Sequence, residues 1–276
     1  MRMFNKVAIV GTGLIGGSLA LFIKKNKLAG EVVGVTEHKA SLALAVKMKA
    51  IDKGSLSLDI IKGADLLILA APVDTIISLR KQIRKNLNKD CVVTDVGSTK
   101  EKIVSLLEKD FKNYAGSHPL AGSEKRGIKN ARSDIFKGSL CILTPTNKTQ
   151  RKALAKIKAL WIKTGARVVT LSPEAHDKAL SFTSHLPHVA AFSLINSVPL
   201  NSLKLSSGGL KDTTRVALSS PKLWQGIFLT NKKELLAALA IFEKNLQVIK
   251  GALQKNDKRL LTKILSQAQK KRNILE

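Results

Sequence analysis

The polar residues best suited to chemistry fall in four short clusters that interrupt an otherwise apolar pattern. The clusters occupy positions 95–100 (DVGSTK), 116–124 (GSHPLAGSE), 184–188 (SHLPH) and 208–215 (GGLKDTTR). In the second cluster, glycines and Pro119 flank His118, and we expect this histidine to follow a short strand at the C-terminal edge of a sheet. Among side chains with an unperturbed pKa, the imidazole of histidine is the one that takes up a proton near pH 7. The pattern therefore predicts His118 as a general base.

The third and fourth clusters each hold two residues at helical spacing. His185 and His188 are three apart and share one helical face, a spacing that suits a metal pair. We expect no metal, because no acidic run accompanies these histidines and both cysteines lie in apolar, strand-like runs. Lys211 and Arg215 are four apart, and Arg has the planar fork that binds a carboxylate. An exposed basic helix face is the alternative for this second pair.

A glycine-rich turn near the start of the chain predicts a dinucleotide site. The turn follows an apolar strand and opens a helix, and its three glycines have separate uses. The first allows the tight turn, the second lets the backbone approach a pyrophosphate, and the third lets helix and strand pack closely. The candidate cofactor-binding residues here are Gly11, Thr12, Gly13, Leu14, Ile15 and Gly16.

The end of the second strand bears on which nicotinamide cofactor is bound. Glu37 near a ribose 2′-hydroxyl favours NAD, whereas Thr36 together with Lys39 tolerates the 2′-phosphate of NADP. We expect NAD, with NADP as the alternative. Ala71 and Pro72 lie at the end of a later strand and are expected beside the cofactor, where ligands sit in open α/β sheets.

These clusters need elements that position them. The first part of the chain alternates short apolar runs with helical patterns, and this rhythm predicts a parallel sheet with right-handed crossovers. The expected strands are 6–10, 31–35, 66–71, 91–96, 140–144 and 167–171. After Pro173 the β pattern disappears, and helices follow with a kink or break at Pro187 and a new start near Ser220. We predict an α/β fold, with a Rossmann-like dinucleotide-binding domain at 1–171 and an all-helical domain at 172–276.

The longest predicted helix carries an apolar seam with alternating steps of four and three. Its members are Leu235, Leu239, Phe242, Leu246, Ile249 and Leu253. Such a 3.5-residue repeat requires a partner helix, either in a second copy of the chain or within the same domain.

Composition limits the class of protein. The chain has 47 Lys and Arg against 20 Asp and Glu, a net charge of +27, which is a reason to consider nucleic acid. The excess is spread along the chain, and eight Phe, two Trp and one Tyr provide few stacking platforms, so we expect no nucleic-acid partner. No apolar run approaches the roughly 20 residues that span a bilayer, so we expect no membrane segment. Cys91 and Cys141 lie in apolar runs, which favours reduced thiols and a cytoplasmic protein.

Taken in order, five segments closely resemble the prephenate and arogenate dehydrogenases of tyrosine biosynthesis. They read GTGLIGGS, VGST, GSHPLAGSEKRG, SHLPH and GGLKDTTRVA, and the likeness continues to Pro221 and Trp224. The length is similar to that of the monofunctional form, so we expect neither a chorismate mutase segment before the chain nor a regulatory tail after it.

The resemblance implies an activity and an architecture. The activity is NAD-dependent oxidative decarboxylation of prephenate to 4-hydroxyphenylpyruvate and CO2, with the conversion of arogenate to tyrosine as the alternative. The implied architecture is a homodimer made by the helical domain, with the active site in the cleft between the two domains. The apolar seam is then a dimer candidate.

The resemblance also implies residue roles. His118 bonds the ring hydroxyl and takes its proton, and Ser98 helps to hold both that histidine and the nicotinamide. The implied substrate-binding residues are Arg215, Lys211, His188, His185 and Glu124, with Arg215 on a carboxylate and Glu124 as an acid that pairs with the arginine. Asp177 and Trp224 resemble supporting positions around the site.

Two other classes of function are consistent with parts of the pattern. One is another two-domain dehydrogenase, acting on hydroxy acids or imines, which would oxidise those compounds and no cyclohexadiene. The other is a non-enzymatic basic protein that senses nucleotides or binds nucleic acid with salt-sensitive affinity. The second class leaves Ser98, His118 and Arg215 without a role.

Overall fold

The computed structural model describes residues 2–122 and 127–276. The chain divides into two compact units, Met1–Asn231 and Lys232–Glu276. Within the described residues, the strands all lie in the first unit. The boundary predicted at residue 171 follows the last strand directly, and as a domain boundary it stays a prediction.

A five-stranded parallel sheet forms the centre of the first unit. Its strands are β1 Phe4–Val10, β2 Ala29–Val35, β3 Lys53–Ser55, β4 Leu66–Leu69 and β5 Val92–Asp95. The spatial order is β3-β2-β1-β4-β5, so the winding direction reverses between β1 and β4. A reversal of this kind creates the crevice in which open α/β sheets bind ligands. The sequence did not predict β3, because its residues KGS carry no apolar pattern.

Helices cover both faces of this sheet. They are α1 Leu14–Lys25, α2 Lys39–Lys47, α3 Val73–Asn86, α4 Glu101–Asp110 and α5 Arg151–Lys163. Val7 and Ile9 pack into one buried apolar cluster, while the alternate residues Ala8 and Val10 pack into the other. Because both faces are buried, the strands read as continuous apolar runs rather than as alternating patterns.

A second sheet has three strands and carries the predicted base. These are β6 Gly116–Leu120, β7 Leu140–Thr144 and β8 Arg167–Thr170, with β6 antiparallel to β7 and β7 parallel to β8. His118 lies in the middle of β6, so the expectation that it would follow a strand was wrong. The glycine and proline around it have low strand propensity, which masked the strand in the sequence. The backbone N–H of Ala115 donates to the carbonyl of Val93, which joins the start of β6 to β5.

Helices make up the rest of the first unit. They are α6 Pro173–Leu180, α7 Leu186–Asn196, α8 Leu200–Leu203, α9 Gly208–Thr214 and α10 Pro221–Thr230. A π-helical turn, Ser181–His185, lies between α6 and α7, and Pro187 is the second residue of α7. The backbone stays helical from α6 into α7, so the helix does not break at Pro187, and the kink there stays a prediction. Ser220 caps α10 by accepting the N–H of Leu223, as the Ser-Pro pair predicted. The described residues beyond β8 contain no strand, and the predicted α/β fold with a helical C-terminal part is confirmed.

The second unit contains α11 Lys232–Gln254 and α12 Lys258–Arg272. The predicted seam lies on α11, where Leu235 is buried, whereas Leu246 and Leu253 are 48 % and 59 % exposed. Among the helices of the described residues, none is both long and apolar enough to cross a membrane.

Candidate active site

A cleft of about 820 Å³ opens at the carboxyl ends of β1, β2 and β4. An adjoining cleft of about 400 Å³ continues towards β5 and α10. The sequence-predicted cofactor residues in the walls of these clefts are Gly11, Thr12, Gly13, Leu14, Ile15, Thr36, Glu37, Ala71 and Pro72. The remaining one, Gly16, packs α1 against β1.

The glycine turn fits a dinucleotide. Gly11 has φ +96°, and a Cβ there would lie 2.6 Å from the backbone of Ala70. A Cβ on Gly16 would lie 2.0 Å from the carbonyl oxygen of Gly11, so only glycine allows this close packing. Gly13 faces open space, with nothing within 4 Å of the position of its absent Cβ. The hydroxyl of Thr12 is buried and has no hydrogen-bond partner among the described residues. Free N–H groups at the start of α1 suit a pyrophosphate.

Several residues of the larger cleft were not predicted from the sequence. They are His38, Ser41, Thr75, Leu79, Gln82, Lys85, Lys222 and Leu223. Lys85 on α3 and Lys222 on α10 place two cations in the wall of this cleft, where they would attract an anionic ligand. Glu37 is the acidic residue of this lining, within the described part of the chain. No local pattern marks Lys222, because it reaches the cleft from a helix far along the chain.

In the wall of the smaller cleft, residues of the cluster at 95–100 lie next to the end of β6. This wall includes Gly97 and Ser98 after β5, Ala121 and Gly122 after β6, and Ile227 on α10. Ser98 is half-buried there. Among residues 2–122 and 127–276 it makes no hydrogen bond to His118. The ring of His118 is instead held by a residue that the sequence did not indicate.

That residue is His176, at the centre of a buried chain of hydrogen bonds. Nδ1 of His118 lies 2.8 Å from Nε2 of His176, and Nδ1 of His176 lies 2.8 Å from Oδ1 of Asp177. The Asp177 carboxylate also accepts the backbone N–H groups of Lys100 at 2.7 Å and of Glu101 at 2.9 Å. All these side chains except that of Glu101 are buried. The chain links β6, α6 and the start of α4.

A buried ion pair lies beside these hydrogen-bonded side chains. The ammonium of Lys100 pairs with the Asp95 carboxylate and donates to the carbonyl oxygen of Ser117 at 2.8 Å. The hydroxyl of Tyr114 donates to Oδ1 of Asp95 at 2.6 Å. Burial raises the pKa of Tyr114 well above its usual value, and the Asp95 charge adds to the shift. Such a pair tolerates burial only when both charges are hydrogen-bonded, and here it fixes β6 against the end of β5.

Burial keeps the imidazoles of this region neutral. It is the largest cause of the lowered pKa of His118, followed by the influence of His176, Lys100 and His185. Burial also lowers the pKa of His176, although Asp177 opposes that shift. The pKa of His185 falls to about 4 for the same reason. A neutral imidazole can accept a proton at pH 7, so His118 is suited to the role of a base.

His185 and His188 both pack on Trp224, as expected for residues on one helical face. The His188 ring stacks on Trp224 with centroids 3.5 Å apart, and the His185 ring meets it edge-on at 6.1 Å. Nδ1 of His188 donates to the carbonyl oxygen of Ser184 at 2.8 Å, which leaves Nε2 as the acceptor in the neutral ring.

Asn231 sets the tautomer of His185. Its side-chain amide donates to the carbonyl oxygen of Asp177 at 2.8 Å and lies 3.1 Å from Nδ1 of His185. Since Nδ1 of His185 accepts, the proton of the neutral ring is on Nε2. That Nε2 atom is buried and has no hydrogen-bond partner among the described residues.

The remaining predicted residues differ in how they are placed relative to the histidines and Trp224. Arg215 follows α9 in a 3₁₀ turn, and its charge contributes, after burial, to the lowered pKa of His188. Lys211 is exposed on α9, and within the described residues no hydrogen bond joins it to the histidines. Glu124 lies outside the described residues. No cluster of three His, Cys, Asp or Glu side chains in the described ranges is arranged to hold a metal ion.

Comparisons with known proteins give the same family for both parts of the chain. Residues 19–170 match the family model "Prephenate dehydrogenase, nucleotide-binding domain", and residues 172–267 match "Prephenate dehydrogenase, dimerization domain". The chain is 34 % identical to a prephenate dehydrogenase of Bacillus subtilis, covering 93 % of this chain and 72 % of that protein. It is 33 % identical to a cyclohexadienyl dehydrogenase of Zymomonas mobilis, covering 100 % and 98 %.

A solved structure is similar over almost the same span. It is the prephenate dehydrogenase of A. aeolicus in complex with hydroxyphenyl propionate and NAD+. The TM-score is 0.93 at 35 % sequence identity, and the match covers 99 % of this chain and 98 % of the other.

Proposed function

The chain belongs to the prephenate dehydrogenase family, as its motifs predicted, and we propose that it converts prephenate to 4-hydroxyphenylpyruvate and CO2 with NAD as oxidant. The observation that carries this proposal is the buried imidazole of His118, which His176 holds through Nδ1. His118 lies on β6, and the residues that follow β6 form part of the wall of the smaller cleft. Arogenate, which has an amine in place of the side-chain ketone, is the alternative substrate.

The cofactor residues follow from the larger cleft. The glycine turn would hold the pyrophosphate, Glu37 the adenosine ribose, and Ala71 with Pro72 the wall beside the nicotinamide. Bound NAD supplies the hydride acceptor. Lys85 and Lys222 offset the charge of the phosphates.

His118 would perform the proton transfer. Its Nε2 takes the proton of the ring hydroxyl while hydride leaves the carbon that bears the oxygen. The ring carboxylate departs as CO2, its bonding electrons complete the aromatic ring, and the phenolate oxygen takes back the proton. No proton is released overall, so the protein must chiefly orient the reactants and hold one proton near one oxygen.

Charged residues would orient the substrate. Prephenate is a dianion, and Arg215 is suited to one carboxylate through its planar fork. We assign His188, His185, Lys211 and Glu124 to the same end of the substrate, with His188 and His185 supported by their place around Trp224. The presence of His188 favours prephenate over arogenate.

We also assign a homodimer. The support is the match of residues 172–267 to a dimerization domain and the exposed leucines of α11. Light scattering should give about twice the chain mass of 29.9 kDa. A mass of one chain at micromolar concentration would contradict this assignment.

One absorbance assay at 340 nm tests the activity. Prephenate and arogenate are each offered with NAD and with NADP, and the highest kcat/KM is expected for prephenate with NAD. Activity with hydroxy acids and none with either cyclohexadiene would overturn the proposal. A higher kcat/KM for arogenate would move the chain to the alternative.

A further inference from the structure

We infer that His176 and Asp177 are positioning residues that hold His118 with its proton on Nδ1, leaving the Nε2 lone pair free to act as the base. The inference rests on the proposed function, because it concerns how that base is prepared. Neither residue needs to touch the substrate, since both act through the His118 ring.

The hydrogen bonds determine where each proton lies. Three donors converge on the Asp177 carboxylate, namely Nδ1 of His176 and the backbone N–H groups of Lys100 and Glu101. A carboxylate with these partners only accepts, so Nδ1 of His176 must carry a hydrogen. In the neutral ring Nε2 of His176 is then an acceptor. The hydrogen in its 2.8 Å contact with His118 therefore belongs to Nδ1 of His118.

The opposite arrangement is unfavourable here. A proton on Nε2 of His118 would require Nδ1 to accept from His176, which would then be a doubly protonated, charged ring. His176 is fully buried, and the buried ammonium of Lys100 lies near enough to oppose a second cation. Burial lowers the pKa of His176, so the neutral ring is the favoured form at pH 7.

The hydrogen-bonded side chains of His118, His176 and Asp177 do not carry a proton out to solvent. Both oxygens of Asp177 are occupied by donors, and the residue is 1 % exposed, so a proton delivered there could not reach solvent. The reaction also requires no exit, because the phenolate oxygen takes back the proton that the hydroxyl lost. Positioning of the ring is therefore the function that this geometry supports.

Asp177 also joins the base to the cleft. The two N–H groups that it accepts begin α4, directly after the segment that places Gly97 and Ser98 in the wall of the smaller cleft. The carbonyl oxygen of Asp177 is held by Asn231. One carboxylate thus contacts both the His176 ring, which holds His118, and the start of α4.

Nitrogen NMR of the histidine side chains tests the tautomer directly. The chain has five histidines, so selectively 15N-labelled protein gives few signals, and single substitutions assign them. At pH 7.5 we expect His118 to show a protonated Nδ1 and an unprotonated Nε2, and His176 to show the same tautomer. A proton on Nε2 of His118 in the wild-type protein would overturn the inference without any variant.

Kinetics of Asp177→Leu provide the second test. A leucine of similar size accepts none of the three donors, so nothing then holds the proton of His176 on Nδ1. We expect kcat to fall by about 10²–10⁴, with smaller changes in KM and in the NAD dissociation constant. The His118 signal should show a proton on Nε2 in part of the molecules. Folded Asp177→Leu that retains both the wild-type tautomer and kcat would refute the inference.

Two further variants separate positioning from general damage. Asp52→Leu is the matched control, because the Asp52 carboxylate also accepts a backbone N–H, that of Val32 at 2.8 Å, and pairs with Lys24 outside the described clefts. It should leave kcat and the His118 tautomer unchanged. His176→Gln retains an amide oxygen that accepts from His118, so its kcat should exceed that of His176→Ala by at least about tenfold. Equal kcat values for these two variants would contradict the inference.

The outcomes distinguish the two proposals. If the wild-type protein fails to oxidise prephenate while His118 shows the Nδ1–H tautomer, the proposed function fails and the positioning stands. If prephenate is oxidised while His118 carries its proton on Nε2, the positioning fails and the function stands.

Discussion

Mild acid should destabilise the first unit through His185. The pKa of this buried imidazole falls from the usual 6.5 to about 4, chiefly because burial penalises the charged ring. A lowered pKa means that the unfolded chain binds more protons between these two values. The free energy of unfolding therefore has its full value, as far as His185 is concerned, above pH 6.5, where the ring is neutral in both states. It decreases as the pH falls towards 4. For one such group the free energy of unfolding drops by roughly 2 kcal/mol between pH 7.5 and pH 5.

Urea unfolding at these two pH values measures the drop, with His185→Asn as the matched variant. The asparagine oxygen can still accept from Asn231, while the titrating ring is gone. We expect the wild-type protein to lose about 2 kcal/mol more than the variant. The reasoning is refuted if both proteins lose the same free energy, or if the wild-type protein is more stable at pH 5. The other buried imidazoles, His118 and His176, contribute in the same direction in both proteins.

Four further predictions concern activity and the cofactor. His118→Asn should lower kcat by about 10²–10⁴ with a milder change in KM at 340 nm, and near-normal turnover at neutral pH would remove His118 as the base. The acid limb of kcat/KM should lie below pH 6.5, because burial first, then His176, Lys100 and His185, lower the pKa of His118; a limb above that value would contradict the assignment. Arg215→Ala should raise the KM for prephenate more than it lowers kcat, and an unchanged KM would exclude its role as the carboxylate anchor. Gly16→Ala should weaken NAD binding in a titration, because the new Cβ would lie 2.0 Å from the Gly11 carbonyl oxygen, and wild-type affinity would show that the turn can shift freely.

The strands β5 and β6 hold the proposed base and the cleft wall in fixed positions. The strands β5 and β6 are joined through backbone bonds at Val93 and Ala115, and the buried pair of Lys100 with Asp95 lies between them. Breaking a buried pair by removing one partner typically costs about 3–5 kcal/mol, so these charges resist displacement. The base and the cleft wall thereby share one rigid support. Rigid support of this kind is what orientation of a substrate requires.

Local sequence determined much of this protein. The glycine turn, the buried strands β1, β2, β4 and β5, and the Ser-Pro start of α10 were predictable because each depends on backbone conformation or periodicity within a few residues. Chain order then placed the cofactor residues, since the carboxyl ends of parallel strands meet at one edge. These features do not require knowledge of what lies across the fold.

Tertiary structure alone decided the partners of the predicted residues. His176 is 58 residues from His118 in the chain. The resemblance marks its neighbour Asp177 as a supporting residue, but no local pattern indicates that the His176 ring meets the base. Lys100 gives no local signal of burial, and Lys222 enters the cofactor cleft from a helix far along the chain. Even β6 became a strand through pairing with β7 despite a composition that disfavours strands. Local preferences act over a few residues, whereas burial and long-range hydrogen bonds exist only after distant segments have packed together.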